Sequence, residues 1–252
     1  MQLHLQRTLA AALLALGTLA ASAAPLDHPA IKYPFKLPPP AALHYAIQAR
    51  QNGLSLNGNA LLSWSVSDDN YAIKSETRAM LVGKILESES AGRIDGYGLA
   101  PAQLIEKRFR KAPTSTTFNR DSQTFAFTES DASYPLKGGE QDRTSAIWQL
   151  IAVARAAPGK IKEGTEWVFF VAGRRDAERW TFKAMQRETI RTALGELSTL
   201  HLRKAPPPDS LEQQLDIWLA PALEWYPVRL RFTDADGDFV EQSLQEISKK
   251  TR

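Results

Sequence analysis

The sequence contains no cysteine. That single absence excludes disulfides, thiolate nucleophiles, zinc–sulfur sites and iron–sulfur clusters. It also excludes a lipoprotein anchor, which needs a Cys after an N-terminal apolar run. Charge of one sign is nearly lacking: Lys+Arg 31 against Asp+Glu 28 gives a formal net charge of +3. So small an excess argues against a dedicated nucleic-acid binder, even at a pI of about 9.1. Beyond the N-terminal segment no run reaches the roughly 18 apolar residues of a membrane helix. There is no G-x-S-x-G, H-E-x-x-H, P-loop or G-x-G-x-x-G. Gly96-Tyr97-Gly98 lacks the third glycine of a dinucleotide site and reads as a turn.

Present instead is ordinary globular composition, 43% hydrophobic and 23% charged. The chain opens on an address. Arg7, an apolar run over residues 9–20 and the small residues Ala21-Ser22-Ala23 have the form of a signal peptide, too short to serve well as a spanning anchor. The expectation is a leader of residues 1–23, a mature chain from Ala24, and a periplasmic location with no transmembrane segment. Residues 24–40 are rich in proline, which removes amide donors and fixes φ. They should form an extended arm, a spacer or a wrap, outside any sheet centre; a proline-motif ligand is the alternative.

Residues 41–248 are expected to be a single β-rich domain. Leu43, Tyr45, Ile47 and Ala49 alternate with polar or small residues, and Asn52-Gly53 then marks a two-residue hairpin turn. That turn sets Ala49 opposite Leu56, Tyr45 opposite Ala60 and Leu43 opposite Leu62, so the apolar faces agree in register. Residues 67–70 turn the chain again, and Tyr71, Ile73, Ser75, Thr77 and Ala79 continue the inner face. The same alternation returns at residues 167–171, 180–184, 197–202, 214–219 and 226–232. One segment departs from it. After Asp142 or Thr144 as a cap, residues 146–156 place Ile147, Leu150, Ile151 and Ala154 on one helical face, flanked by Trp148 and Val153. More than half of the circumference is apolar, so the helix should be enclosed. The predicted fold is therefore mainly β: one curved antiparallel sheet or incomplete β-barrel, with one buried α-helix (about 142–156) on its concave side.

No residue earns a catalytic, cofactor-binding or metal-binding assignment. His28 falls in the arm, while His44 and His201 fall on the polar sides of strands; all three read as solvated. Asp234-Ala235-Asp236-Gly237-Asp238 with Glu241 resembles a calcium loop, but glycine is fourth and the Glu eighth, where an EF-hand needs them sixth and twelfth. A hairpin of Ala235, Asp236 and Gly237 fits better and pairs Phe232 with Val240, Arg231 with Glu241 and Val228 with Leu244. Lys107-Arg108-Phe109-Arg110-Lys111 could touch lipid headgroups or nucleic acid, yet on a strand its side chains divide between two faces, and a solvated edge strand is the expectation.

Gly92-Arg93-Ile94-Asp95-Gly96 leading to Gly98-Leu99-Ala100-Pro101, Gln141-Asp142 opening the helix, and Ile217-Trp218-Leu219 followed by Trp225-Tyr226-Pro227-Val228-Arg229 resemble the bacterial exported family catalogued as domain of unknown function 3108. The resemblance spans about residues 41–248 and implies a mostly antiparallel β protein of the cell envelope. It brings no reaction, so no catalytic residue is carried over. The function expected is non-catalytic: binding an apolar ligand, lipid or envelope component in the curved sheet. An interaction or assembly factor of the envelope is the alternative, and a hydrolase working through carboxylates ranks last. Neither a cofactor nor nucleic acid is expected; the partners expected are a lipid or an envelope protein.

Overall fold

In the computed structural model, residues 28–206 and 213–249 are described. The expected leader, residues 1–23, lies outside them. Eight strands come first: β1 (Ala41–Gln51), β2 (Leu54–Ser67), β3 (Asn70–Ala79), β4 (Gly83–Asp95), β5 (Gly98–Arg108), β6 (Thr114–Asn119), β7 (Thr124–Phe127) and β8 (Ser130–Pro135). The two-residue β9 (Gln141–Asp142) leads into the helix α1 (Ser145–Ala156). Six more follow: β10 (Glu166–Ala172), β11 (Ala177–Thr192), β12 (Gly195–Lys204), β13 (Gln214–Leu219), β14 (Pro227–Thr233) and β15 (Phe239–Lys249). All join one 15-stranded sheet, in which β1 and β15 pair at the middle while β8 and β9 stand at the free ends. The sheet is open and curved, mainly β as expected, with one helix on its concave side.

The registers read from the turns hold. Ala49 pairs with Leu56, Tyr45 with Ala60 and Leu43 with Leu62; Phe232 pairs with Val240 and Arg231 with Glu241. The positive φ of Asn52 and Gly53 fits the primed turn that such a short connection demands. Antiparallel pairing has one exception, since β9 runs parallel to β10, with Gln141 beside Val171. A two-residue strand carries no periodicity from which this could be read.

The helix is enclosed on nearly every side. Trp148 stacks on Trp64 of β2, ring centroids 4.6 Å apart, and meets the edge of Tyr226. The side of the helix opposite that apolar face is buried too: Ser145, Gln149 and Ala152 are all covered. Asp142 caps the helix, as one of the two expected candidates. Its Oδ1 accepts the amides of Thr144 and Ser145 at 2.8 Å each, while the Thr144 side chain makes no capping bond.

The two ends of the sheet meet through side chains. Phe118, Phe125 and Phe127 of β6 and β7 gather with Phe170 of β10 in a second apolar cluster, and Tyr134 packs against it. Thr116 donates a hydrogen bond to the Gly173 carbonyl across the same seam. Residues 36–39 of the proline-rich segment are bonded to the helix, to β2 and to Tyr226. The Lys36 amide donates to the Ala152 carbonyl at 2.9 Å. Carbonyls of Leu37, Pro38 and Pro39 accept from Arg155, Trp64 and Tyr226 respectively. Prolines supply acceptors without amides that would need partners, which suits a segment laid across a helix.

Three expectations need correction. The basic run is no edge strand: Lys107 and Arg108 finish β5, which lies between β4 and β6, and the chain then turns. His28 is buried, stacked on Phe170 with centroids 4.0 Å apart, and its Nε2 lies 3.1 Å from the Pro135 carbonyl. His201 does point to the outer side but is covered there, because the Trp218 ring lies parallel to it at 4.6 Å.

Candidate functional site

The helix fills only part of the concavity. Positions such as Leu43, Trp64 and Ile73 pack into the main apolar core with it. On β2, β3 and β4, Ala60, Leu62, Thr77 and Leu86 line a cavity of about 650 Å³. Val171, Leu215, Leu230 and Phe232 form the opposite wall, and Thr144, Ile147 and Trp148 at the start of α1 form part of the lining. The cavity therefore occupies the space between the two halves of the sheet that the helix leaves unfilled.

Charged residues join the lining where the β10–β11 turn, residues 173–176, approaches it. Arg143 pairs with Glu106, Arg174 meets Glu129 at 2.5 Å, and Arg175 lies 3.5 Å from the same carboxylate. Lys204 reaches Glu178 at 3.3 Å and stands over the Trp180 ring at 4.9 Å. Apolar walls with a polar margin of both signs describe a pocket that can bury a hydrocarbon chain and leave a polar end near water.

Two polar constellations lie outside the cavity. In the first, Ser90 donates to Asp142 Oδ2 at 2.5 Å and lies 3.2 Å from the Tyr71 hydroxyl. Burial pushes the Asp142 carboxyl above the usual range, against the pull of its hydrogen bonds from Ser90, Ser145 and Thr144. Burial, then the nearby Asp142 charge, pushes the Tyr71 phenol well up. Asp142 and Ser90 have no solvent exposure, so the group holds the helix start to β4 instead of facing a substrate. In the second, His201 Nε2 lies 2.6 Å from Asp216 Oδ1, and its Nδ1 lies 3.4 Å from Glu188. Burial pushes Asp216 up, but hydrogen bonds from His201, Arg203 and Gln214 together hold it below the usual carboxylate range. With a carboxylate beside each ring nitrogen, His201 works as a packed cross-strand link. Among the described residues no group of three or more His, Asp or Glu could hold a metal ion. The 234–238 segment is a hairpin, with the Gly237 amide bonded to the Asp234 carbonyl and Gly237 at φ 86°.

The quoted sequence motifs converge on the helix. Gly98 has φ 110°, and a Cβ there would lie 2.3 Å from Gln149 Oε1. Gln149 uses that space to accept the Leu99 amide and to donate to the Tyr97 carbonyl. Gln141 donates to the Leu99 carbonyl from the other side, at 2.7 Å. A Cβ on Gly92 would lie 2.3 Å from the Ala100 carbonyl, so the β4–β5 crossing also needs glycine. These residues position the helix and thereby the cavity floor. Sequence reasoning reached Leu62, Thr77, Ile147 and Phe232 as inner-face residues but did not gather them into a cavity, because the lining is scattered over eleven elements and its members are individually ordinary.

No curated protein matches the chain by sequence. Among solved structures, a β-barrel-like protein of domain of unknown function DUF1849 from Brucella abortus is similar in fold. Its TM-score is 0.58 at 10% identity, over 86% of this chain and 100% of that one. A putative outer membrane lipoprotein-sorting protein domain from Vibrio parahaemolyticus overlaps more loosely, with TM-score 0.27 at 10% identity over 84% and 86% of the two chains. That overlap is too loose to carry an argument. The family described as "Protein of unknown function (DUF3108)" matches residues 42–245, nearly the whole sheet and its helix. The chain belongs to that family.

Proposed function

We propose that this protein is a non-catalytic binding protein of the cell envelope that takes one apolar chain of a lipid or similar amphiphile into the cavity beside α1. The observation that carries this reading is the cavity itself. Its volume of about 650 Å³ lies inside the roughly 300–1,000 Å³ of pockets that enclose one small ligand. Leu62, Ile147, Leu230 and Phe232 give it walls from which hydrocarbon gains and water does not. The charged margin would hold the polar end at the mouth.

A periplasmic location belongs to the same proposal, through the leader of residues 1–23, and N-terminal sequencing of exported protein should find Ala24 first. The assembly-factor alternative is less supported from His28 onward, since the arm lies tied to the helix and is not free to capture a partner. The hydrolase alternative would need a carboxylate facing substrate beside a nucleophile, and the Ser90–Asp142 pair is sealed from solvent.

Chain length supplies the test. Each buried CH₂ contributes about 0.8 kcal/mol, or roughly fourfold in affinity. Binding of single-chain amphiphiles should therefore strengthen stepwise with length and then level off when the cavity is full. Ala60→Phe, which adds a ring to the wall, should bring that plateau to shorter chains. Affinity independent of chain length in both proteins would refute the reading.

A further inference from the structure

At one end of the sheet one turn breaks the usual rule of composition. Turns favour Gly, Asn, Asp and Ser, and the β1–β2, β2–β3 and β14–β15 turns of this protein obey it, with Asn52-Gly53, Asp68-Asp69 and Asp236-Gly237. The β3–β4 turn is Met80-Leu81-Val82. Leu81 is 96% exposed and Met80 76%. Beside it Leu54, on the start of β2, is 66% exposed, although the period-two pattern places it on the inner face. Phe109, in the β5–β6 turn, is also exposed. These segments are neighbours: the Met80 amide donates to the Asn57 carbonyl at 3.0 Å, and the Phe109 amide donates to Ile85 at 2.8 Å.

The charge around this tip is cationic on one side. Lys107, Arg110 and Lys111 form no ion pair with any described carboxylate, while Arg108 shares Glu129 with Arg174 and Arg175. Lys84, nearer the tip, is neutralised by Glu76 and Glu87. Exposed apolar side chains on a projecting turn, flanked by long basic side chains whose stems can lie along hydrocarbon, are what an anionic lipid surface accommodates.

We infer that this end of the molecule docks on an anionic phospholipid bilayer, with Met80, Leu81 and Val82 entering the interface and Arg110 and Lys111 meeting the headgroups. The β10–β11 turn that carries Arg174 and Arg175 into the cavity lining lies at the same end, because Lys204 pairs with Leu215 and Gln214 with Thr233 near the β14–β15 loop. An apolar chain would then pass between bilayer and cavity without crossing water. That last step rests on the proposed function; the docking itself does not.

Vesicle sedimentation tests it, using exported protein with phosphatidylcholine vesicles, with and without phosphatidylglycerol. Wild type should bind the anionic vesicles at least tenfold more tightly than the neutral ones, and less tightly as salt rises. Met80→Ser/Leu81→Ser/Val82→Ser should lose at least tenfold on anionic vesicles with an unchanged melting temperature, since these side chains are exposed. Arg110→Glu/Lys111→Glu should erase the difference between the two vesicle types. All proteins share one N-terminus, so its contribution cancels. Equal binding by the serine variant, equal wild-type binding to both vesicle types, or none at all overturns the inference. A dimer in size-exclusion chromatography that the serine variant abolishes, without vesicle binding, would assign the tip to a second copy of this chain instead. Amphiphile uptake in solution, measured on the same variants, stays intact if only the docking is wrong.

Discussion

Trp148→Ala probes the joint between helix and sheet. The indole is 1% exposed, lies nearly parallel to Trp64 at 14°, and meets Tyr226 at 67°. Removing a buried large aromatic costs about 3–5 kcal/mol, of which two aromatic pairs at about 0.5–1.5 kcal/mol each account for a part. Trp148 also borders the cavity, so truncation enlarges an existing space and does not seal a new void. The loss should therefore fall near the lower limit, about 3 kcal/mol, with a fall in melting temperature on the order of 10 °C. Equilibrium denaturation gives the free energy, and circular dichroism follows the exciton signal of the stacked indoles, which should vanish. Trp148→Phe, which keeps one ring against Trp64, should restore roughly half of the loss. A change within about 0.5 kcal/mol for the alanine variant would mean that the helix is not enclosed, and the cavity would lose its floor.

Asp142 should make stability fall as pH rises. Its folded-state pKa is raised by burial, so its contribution is complete below the unfolded value of about 3.9 and is lost as pH climbs through the folded value. Asp142→Asn should flatten the difference in denaturation midpoint from about pH 4 upward, and an unchanged slope would contradict the assignment. Asp216 has the opposite sign, its lowered pKa giving stability that disappears as pH falls; Asp216→Asn should therefore cost most near neutral pH and least in acid. Gly98→Ala forces a side chain into φ 110° against Gln149, and should cost about 2–4 kcal/mol from backbone strain and lost hydrogen bonds. Gly237→Val has open space around it, so its cost should be the backbone alone, about 1–2 kcal/mol. Calcium should leave the melting temperature of wild type and Asp236→Asn alike, whereas a calcium-dependent rise lost in the variant would restore a metal site.

What was legible in the sequence is what local chemistry fixes. Asn52-Gly53 and Asp236-Gly237 admit one economical turn each, and the period-two pattern then sets the partners along β1 and β2 and, from Thr233 back to Arg229, along β14 and β15. The helix was legible because period two fails there and the apolar arc is wide. Strands β6 to β8 were not read. They are short and rich in Ser and Thr, and only the alternation of Phe125 and Phe127 with Thr124 and Ala126 marked them. Burial of His28 and His201 depends on Phe170 and Trp218, residues brought beside them by the fold, so membership of the arm misjudged the first and polar-face patterning the second. Leu54 and Leu56 show the converse, a correct inner face that no other element covers at the sheet's end. The cavity was anticipated only as an apolar concavity, since its lining comes from both halves of a sheet whose closure is non-local.

Native mass spectrometry of the protein recovered from cells, before and after solvent extraction, tests the central claim most directly. The account predicts a bound mass equal to one single amphiphile per chain, released by the solvent and replaced when a long-chain amphiphile is added. Bare polypeptide in every preparation, with no uptake of added amphiphile, would contradict it.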